Sequence, residues 1–268
     1  MQPMVPHAVK RDDAEIFYWE LGDGSPVLLL HPFPANHEFW LPVAQVLATR
    51  YRVLLPDLRG HGDSGVGDGP ATMEKHAADI ERVLDAADVG RAPVIGVSIG
   101  GYALFEFWRR FRGRVAAVGL CNTKALADTA EGRAGRLQAA DGVFDRGTEP
   151  FFESMIPRLL GRTTRETRPD LVEGALRMMR KMSPEDVAQV QRGMAQRADS
   201  LETLKTINVP ALIVTGEEDI LTGVNEAELM HQQIAGSQLK VVPKAGHFSP
   251  WEQPEEASRL LRQFLDGI

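Results

Sequence analysis

The sequence predicts an α/β chain: a mostly parallel central sheet flanked by helices, with one helical interruption. Three observations carry that prediction. First, unbroken apolar runs of strand length lie between turn signals, at PVLLLH (26–31), YRVLLPD (51–57) and APVIGVS (92–98). Runs of this kind belong to strands buried on both faces, as in parallel sheets. Second, segments of helical spacing separate these runs, and a strand–helix–strand rhythm implies right-handed crossovers. Third, the rhythm stops between Lys124 and Thr206 and then resumes.

The elements follow in order. AEIFYWELG (14–22) alternates as a strand, and Gly22, Asp23 and Gly24 mark the turn after it. After PVLLLH, the segment FWLPVAQVLATR (39–50) has helical spacing and leads to YRVLLPD. MEKHAADIERVLDAADVG (73–90) is amphipathic, with Ile80, Val83, Leu84 and Ala87 on one stripe and Gly90 as the expected C-terminal stop. APVIGVS leads into the helix GGYALFEFWRRF (100–111), and RVAAVGLCNT (114–123) is the next strand. Residues 124–206 show no strand pattern. They are rich in Arg and Glu with apolar anchors, and read as a helical insertion over the sheet. VPALIVTG (209–216) and QLKVVP (238–243) are strands, NEAELMHQQIAG (225–236) is a helix, and Pro254 opens a closing amphipathic helix. The expected organisation is a core of residues 1–123 and 207–268 with a helical cap at 124–206.

Size and charge narrow the function. A chain of 268 residues can bury a large core without staples. With 37 acidic and 30 basic residues the net charge is −7, against a nucleic-acid partner. No apolar run approaches the ~18 residues of a membrane span. The N-terminal stretch MQPMVPHAVKRDDAE lacks the apolar segment of a signal peptide. The single cysteine, Cys121, cannot form an internal disulfide, which suits a cytoplasmic location. Monomer and homodimer are both compatible with these features.

The chemistry centres on VIGVSIGG (94–101). Ser98 ends a buried strand and opens a helix, where a G-x-S-x-G nucleophile elbow belongs. Positions two before and two after the serine must be small, and they are Gly96 and Gly100. The hydroxyl then stands over a helix N-terminus, where negative charge is favoured. A serine needs a base. Among seven histidines, His247 lies in PKAGHFSPWEQPEE (243–256), after the last strand and at the sheet end that carries Ser98. His31 is expected to brace the loop after its strand and His61 to shape the turn in DLRGHGDS. His7 and His37 lie in loops and His76 and His231 on helices, where a structural role is expected. The base needs an orienting acid. VTGEEDIL (214–221) offers Glu217, Glu218 and Asp219; Asp219 lies furthest past the strand end, and Asp57 is expected to hold the RGHGDS loop. The oxyanion donors are expected to be the N–H groups of Ile99, next after the serine, and Phe33, the close donor between Pro32 and Pro34.

In order and spacing, LLLHPFPANHEFW, LLPDLRGHGDS, VIGVSIGGYALFEF, ALIVTGEEDIL and KAGHFSPWEQPEE resemble the signature segments of the α/β-hydrolase superfamily. Within it the chain looks like bacterial carboxylesterases and 3-oxoadipate enol-lactonase-like hydrolases. The resemblance implies the α/β-hydrolase fold with a helical cap inserted after the sixth strand. It also implies Ser98 as nucleophile, His247 as base, Asp219 as acid, and Phe33 and Ile99 as oxyanion donors. The chain departs from the family at His31-Pro32, where His-Gly is usual. Branches of the fold with dehalogenase or epoxide-hydrolase activity carry aspartate at the elbow, so Ser98 argues against both chemistries.

The expected reaction is two-step acyl transfer on a small-molecule ester or lactone, with no metal and no other cofactor. The Phe and Met residues of the insertion suggest a mostly apolar pocket, with Phe33, Trp40, Phe144 and Met179 as substrate-binding side chains. Arg133, Arg136 and Arg158 are candidates for a substrate carboxylate, which an enol-lactonase would need to hold. Perhydrolase or haloperoxidase-like and hydroxynitrile-lyase-like reactions reuse the same three residues, and a ligand receptor could retain the fold without turnover.

Overall fold

The computed structural model describes residues 3–11 and 13–268. Met1, Gln2 and Asp12 of the N-terminal stretch lie outside the described residues. Strand β1 (Val5–Arg11) runs antiparallel to β2 (Ala14–Leu21), with Val5 opposite Glu20 and Arg11 opposite Ala14. β1 is not among the strands expected from the sequence. Its side chains are largely exposed, it contains Pro6, and it occupies the sheet edge, where proline is tolerated. Counting β1, the helical insertion follows the sixth strand.

Next come β3 (Ser25–Leu30), a 3-10 turn over His37–Trp40, α1 (Leu41–Leu47), β4 (Tyr51–Pro56), α2 (Met73–Ala86), β5 (Ala92–Val97), α3 (Ile99–Phe111) and β6 (Val115–Cys121). In α2, Thr72 caps the start by accepting a hydrogen bond from Lys75 N–H. The expected stripe of Ile80, Val83, Leu84 and Ala87 is buried. The stop is not Gly90, however. The helix ends at Ala86, and Asp88 takes the left-handed turn at φ 54°. Aspartate accepts that conformation better than most residues.

Between β6 and the next strand lie only helices: α4 (Ala130–Arg146), α5 (Glu149–Leu159), α6 (Arg162–Thr167), α7 (Pro169–Met179), α8 (Pro184–Ala195) and α9 (Leu201–Leu204). The chain closes with β7 (Ala211–Gly216), α10 (Val224–Gln233), β8 (Gln238–Val242), a short α11 (Ser249–Glu252) and α12 (Pro254–Leu265).

Among the described residues, eight strands form one sheet in the order β1-β2-β4-β3-β5-β6-β7-β8, and every pairing from β4 to β8 is parallel. Val27, Leu28, Leu29 and Leu30 of β3 and Val53, Leu54 and Leu55 of β4 are fully buried, as strands covered on both faces require. Parallel order brings the C-terminal ends of β3, β5, β6, β7 and β8 to one edge, where loops can converge on a site. Among the described residues, no helix is long and apolar enough to cross a membrane.

Candidate active site

Ser98 joins β5 to α3 at φ 53°, ψ −114°, a conformation that costs a non-glycine residue about 1–3 kcal/mol. The turn is held by many bonds. Ser98 N–H lies 3.1 Å from the carbonyls of both Cys121 and Asn122, and its own carbonyl accepts from Thr123 Oγ1 at 2.9 Å. The flanking glycines are sterically required. A Cβ on Gly96 would collide with the backbone of Gly100 and Gly101, and one on Gly100 would sit 2.6 Å from the Leu30 carbonyl oxygen. The Ser98 side chain does not cap α3. It borders a cavity of about 460 Å³.

His247, in the β8–α11 loop, borders the same cavity. Its Nδ1–H donates to Asp219 Oδ2 at 2.9 Å, and Thr222 Oγ1 lies 3.2 Å from the same nitrogen. Asp219 sits behind it in the β7–α10 loop. Its Oδ2 also accepts from Asn122 Nδ2 at 2.9 Å and Thr222 Oγ1 at 2.8 Å. Its Oδ1 accepts from the N–H groups of Leu221 at 2.8 Å and Thr222 at 3.1 Å. Burial alone would raise this carboxyl. The charge and hydrogen bond of His247, with the Asn122 and Thr222 donors, outweigh burial and hold it well below the usual carboxylate range. The acid stays ionised and fixes the imidazole tautomer, so Nε2 is left as the basic nitrogen.

Glu217 and Glu218 are occupied elsewhere. Glu217 accepts from Lys244 N–H, and Glu218 accepts from Thr163 N–H and Thr163 Oγ1 on α6. Asp57 holds its loop through Asp63 N–H at 2.8 Å and also contacts His37. His31 bridges two loops: Leu58 N–H donates to its Nε2 at 2.9 Å, and its Nδ1–H donates to the Pro32 carbonyl. Burial holds His31 well below its ordinary value, so it is neutral there. His61 packs edge-on against Phe33.

Phe33 lines the cavity and Ile99 is the first residue of α3. The amides of Phe33 and Ile99 donate to no protein acceptor among the described residues.

The substrate-side expectations fare differently. Trp40 is fully buried and packs edge-on against Phe39 in the core, outside the cavity lining. Met179 is fully buried at the end of α7 and does not reach the cavity either. Phe144 is 52% exposed. The cavity face of α4 carries Gly132, Gly135, Arg136 and Ala139, and Phe144 lies well round the helix from that stripe. The insertion instead contributes Phe151, Met155 and Leu159 from α5 and Met194 from α8. The pocket is also more charged than its aromatic and Met content suggests, because Lys124, Asp128, Glu131, Arg136 and Arg158 border it. Arg136 is committed to Asp128 at 2.6 Å, and Arg133 lies outside the lining.

Asn122, Thr222 and Glu252 are the site-supporting residues that the sequence did not suggest. Glu252 is buried, and its two carboxylate oxygens accept from Gly246 N–H and from Gly161 N–H of the insertion, both at 2.8 Å. Asn122 and Thr222 lie outside the signature segments, and Glu252 lies within the last of them without a pattern that marks its role; the roles exist only where separate loops meet.

Comparisons with known proteins agree with this architecture. The family model described as alpha/beta hydrolase fold matches residues 25–254. A thermophilic esterase from Thermogutta terrifontis, solved with malate bound, superposes with a TM-score of 0.94 at 36% identity, covering 97% of this chain and 98% of that one. The enol-lactonase from Burkholderia xenovorans superposes at 0.88 with 25% identity, covering 94% and 97%. Among curated proteins, 3-oxoadipate enol-lactonase 1 of Acinetobacter baylyi is 28% identical over 233 residues, 87% of this chain and 85% of the relative. With a mostly parallel sheet, a serine elbow at its centre and a family match across most of its length, the chain belongs to the α/β-hydrolase fold family.

Proposed function

We propose that the protein hydrolyses carboxylic esters of small to medium substrates through an acyl-enzyme on Ser98. The observation that carries the reading is the convergence of Ser98 and His247 on one cavity, with His247 bound at 2.9 Å to a buried, ionised Asp219. His247 Nε2 takes the Ser98 proton as Oγ bonds to the ester carbonyl carbon. The carbonyl oxygen becomes an oxyanion held by the Phe33 and Ile99 N–H groups. The C–O bond to the alcohol breaks, and the alcohol leaves with the proton from His247. Water then gives its proton to His247 and attacks the acyl carbon. The Ser98 ester bond breaks, and the acid departs while the proton returns to Ser98. Asp219 stays ionised throughout and stabilises the transient imidazolium.

Lactones with an anionic group are a second reading. Arg158 and Lys124 border the cavity, and Arg158 has no ion-pair or hydrogen-bond partner among the described residues. A substrate carboxylate would supply one.

The test is turnover of p-nitrophenyl acetate, butyrate and octanoate by the wild type and by Ser98→Ala. The proposal predicts turnover by the wild type and a loss on the order of 10⁶ in the variant. Comparable rates in both proteins would remove Ser98 from the chemistry, and inertness of both would move lactones to the front.

A further inference from the structure

Asn122 follows β6, far from Asp219 and His247 in sequence, yet it bonds to all three loops of the site. Its backbone carbonyl accepts from Ser98 N–H at 3.1 Å, and its N–H donates to the Val214 carbonyl at 2.8 Å. Its side-chain Nδ2 uses both hydrogens, one on Asp219 Oδ2 at 2.9 Å and one on the carbonyl of Gly246, next to His247, at 3.1 Å. Its Oδ1 accepts from Ser249 Oγ, two residues past His247. The side chain is buried, and its backbone is left-handed at φ 41°, a conformation asparagine adopts more readily than most residues. A purely structural turn would favour glycine here.

We propose that Asn122 is a positioning residue: its amide sets the orientation of the Asp219 carboxylate and ties the acid loop to the base loop, so that His247 presents Nε2 to Ser98. The inference rests on the serine-hydrolase reading for its consequence in rate, but not for its geometry. Asp219 Oδ2 takes three donors at once, from Asn122, Thr222 and His247. Removing the Asn122 donor leaves the negative charge of Asp219 less shared, so Asp219 holds the imidazolium proton more strongly. The His247 titration then moves to higher pH, and kcat falls while KM stays.

Other titratable groups near this pair are the same in wild type and variants. Tyr102 of α3 lies within electrostatic reach of Asp219, Lys124 and Arg158 border the cavity, and Glu218 and Glu252 are bound to amides of the insertion.

The experiment compares wild type with Asn122→Ala and Asn122→Gly. Glycine relieves the left-handed backbone, so it keeps the comparison available where alanine fails to fold. The His247 ring signals, identified by their absence in His247→Gln, are titrated by NMR, and p-nitrophenyl butyrate kinetics are run alongside. The expected result is an upward shift of the His247 midpoint in both folded variants. With it should come a kcat loss of about 10- to 100-fold at unchanged KM, the size expected for one hydrogen bond to a charged group. A His247 midpoint equal to the wild type's, or lower, overturns the proposal even where kcat falls, because loss of structure alone would do that. The titration needs no substrate, so it stands apart from the ester reading: an enzyme inert toward esters with a shifted His247 midpoint would retain the positioning role and reject the ester assignment.

Discussion

The strand-end loops and the helices of the insertion border the same cavity but hold their side chains by different means. At the strand ends the bonds are buried and many. Ser98 is pinned through its backbone to residues after β6, and the Asp219 carboxylate accepts five hydrogen bonds. In the insertion, α4 turns Gly132, Gly135 and Ala139 toward the cavity, and many of its ties to neighbouring helices are exposed ion pairs. Arg180 joins Glu149 of α5 and Glu173 of α7, and Arg192 of α8 joins Asp141 of α4. Exposed pairs of this kind contribute about 0–1 kcal/mol each. Reacting groups need fixed geometry, because small misplacements cost rate, whereas a wall that only borders the cavity can vary. The two regions share one buried core, and hydrogen bonds tie them across it: Glu252 between Gly161 and Gly246, Phe248 N–H on the Leu159 carbonyl, and Ala71 N–H on the Gln189 carbonyl.

This contrast can be broken most severely at Asp219. Asp219→Asn should lower kcat on the order of 10⁴-fold with little change in KM, because the tautomer of His247 is no longer enforced. A change in KM alone would mean that the strand-end loops serve binding rather than chemistry.

A pair of aromatic truncations sharpens the division. Trp40→Ala should cost about 3–5 kcal/mol in urea unfolding and leave the acyl-chain preference as it is, since Trp40 packs in the core. Phe151→Ala, half-buried at the cavity wall, should shift the preference among p-nitrophenyl esters toward longer chains with a smaller loss of stability. The reverse pattern would place the selective surface in the sheet layer.

The smallest effect concerns pH. Asp128, between β6 and α4, is bound by Arg197 at 2.7 Å and Arg136 at 2.6 Å. Burial pulls its carboxyl upward, but those two guanidinium groups outweigh it and bring it to about 2. A carboxyl lowered in the folded state stabilises above the ordinary carboxylate range, and that contribution fades as pH falls from ~4 toward 2. The Tm difference between wild type and Asp128→Asn should therefore be largest near neutral pH and shrink below ~4. A difference independent of pH would show that the pairing contributes nothing through charge.

The sheet was legible because its signal is local. β3 and β4 are apolar runs that must be covered on both sides, and Gly96-Val97-Ser98-Ile99-Gly100 declares a turn too tight for side chains at its flanks. β1 escaped because an edge strand with one wet face and a proline carries little pattern. The insertion yielded its helical character but not its facing. Whether Phe144, Phe151 or Met179 meets the cavity depends on how α4, α5 and α7 dock, and no local periodicity encodes that. Asn122 was invisible for a similar reason. Its partners lie 97, 124 and 127 residues away, and only the folded sheet brings them together.

The central claim is that Ser98 is the nucleophile, and covalent trapping tests it most directly. Diethyl p-nitrophenyl phosphate should react once per chain, forming an O–P bond at Ser98 and releasing p-nitrophenolate, with His247 accepting the serine proton. Intact-mass spectrometry should show one diethylphosphoryl group, and peptide mapping should place it on Ser98 and abolish it in Ser98→Ala. A stable adduct on another residue, or none in a folded protein, would contradict the account.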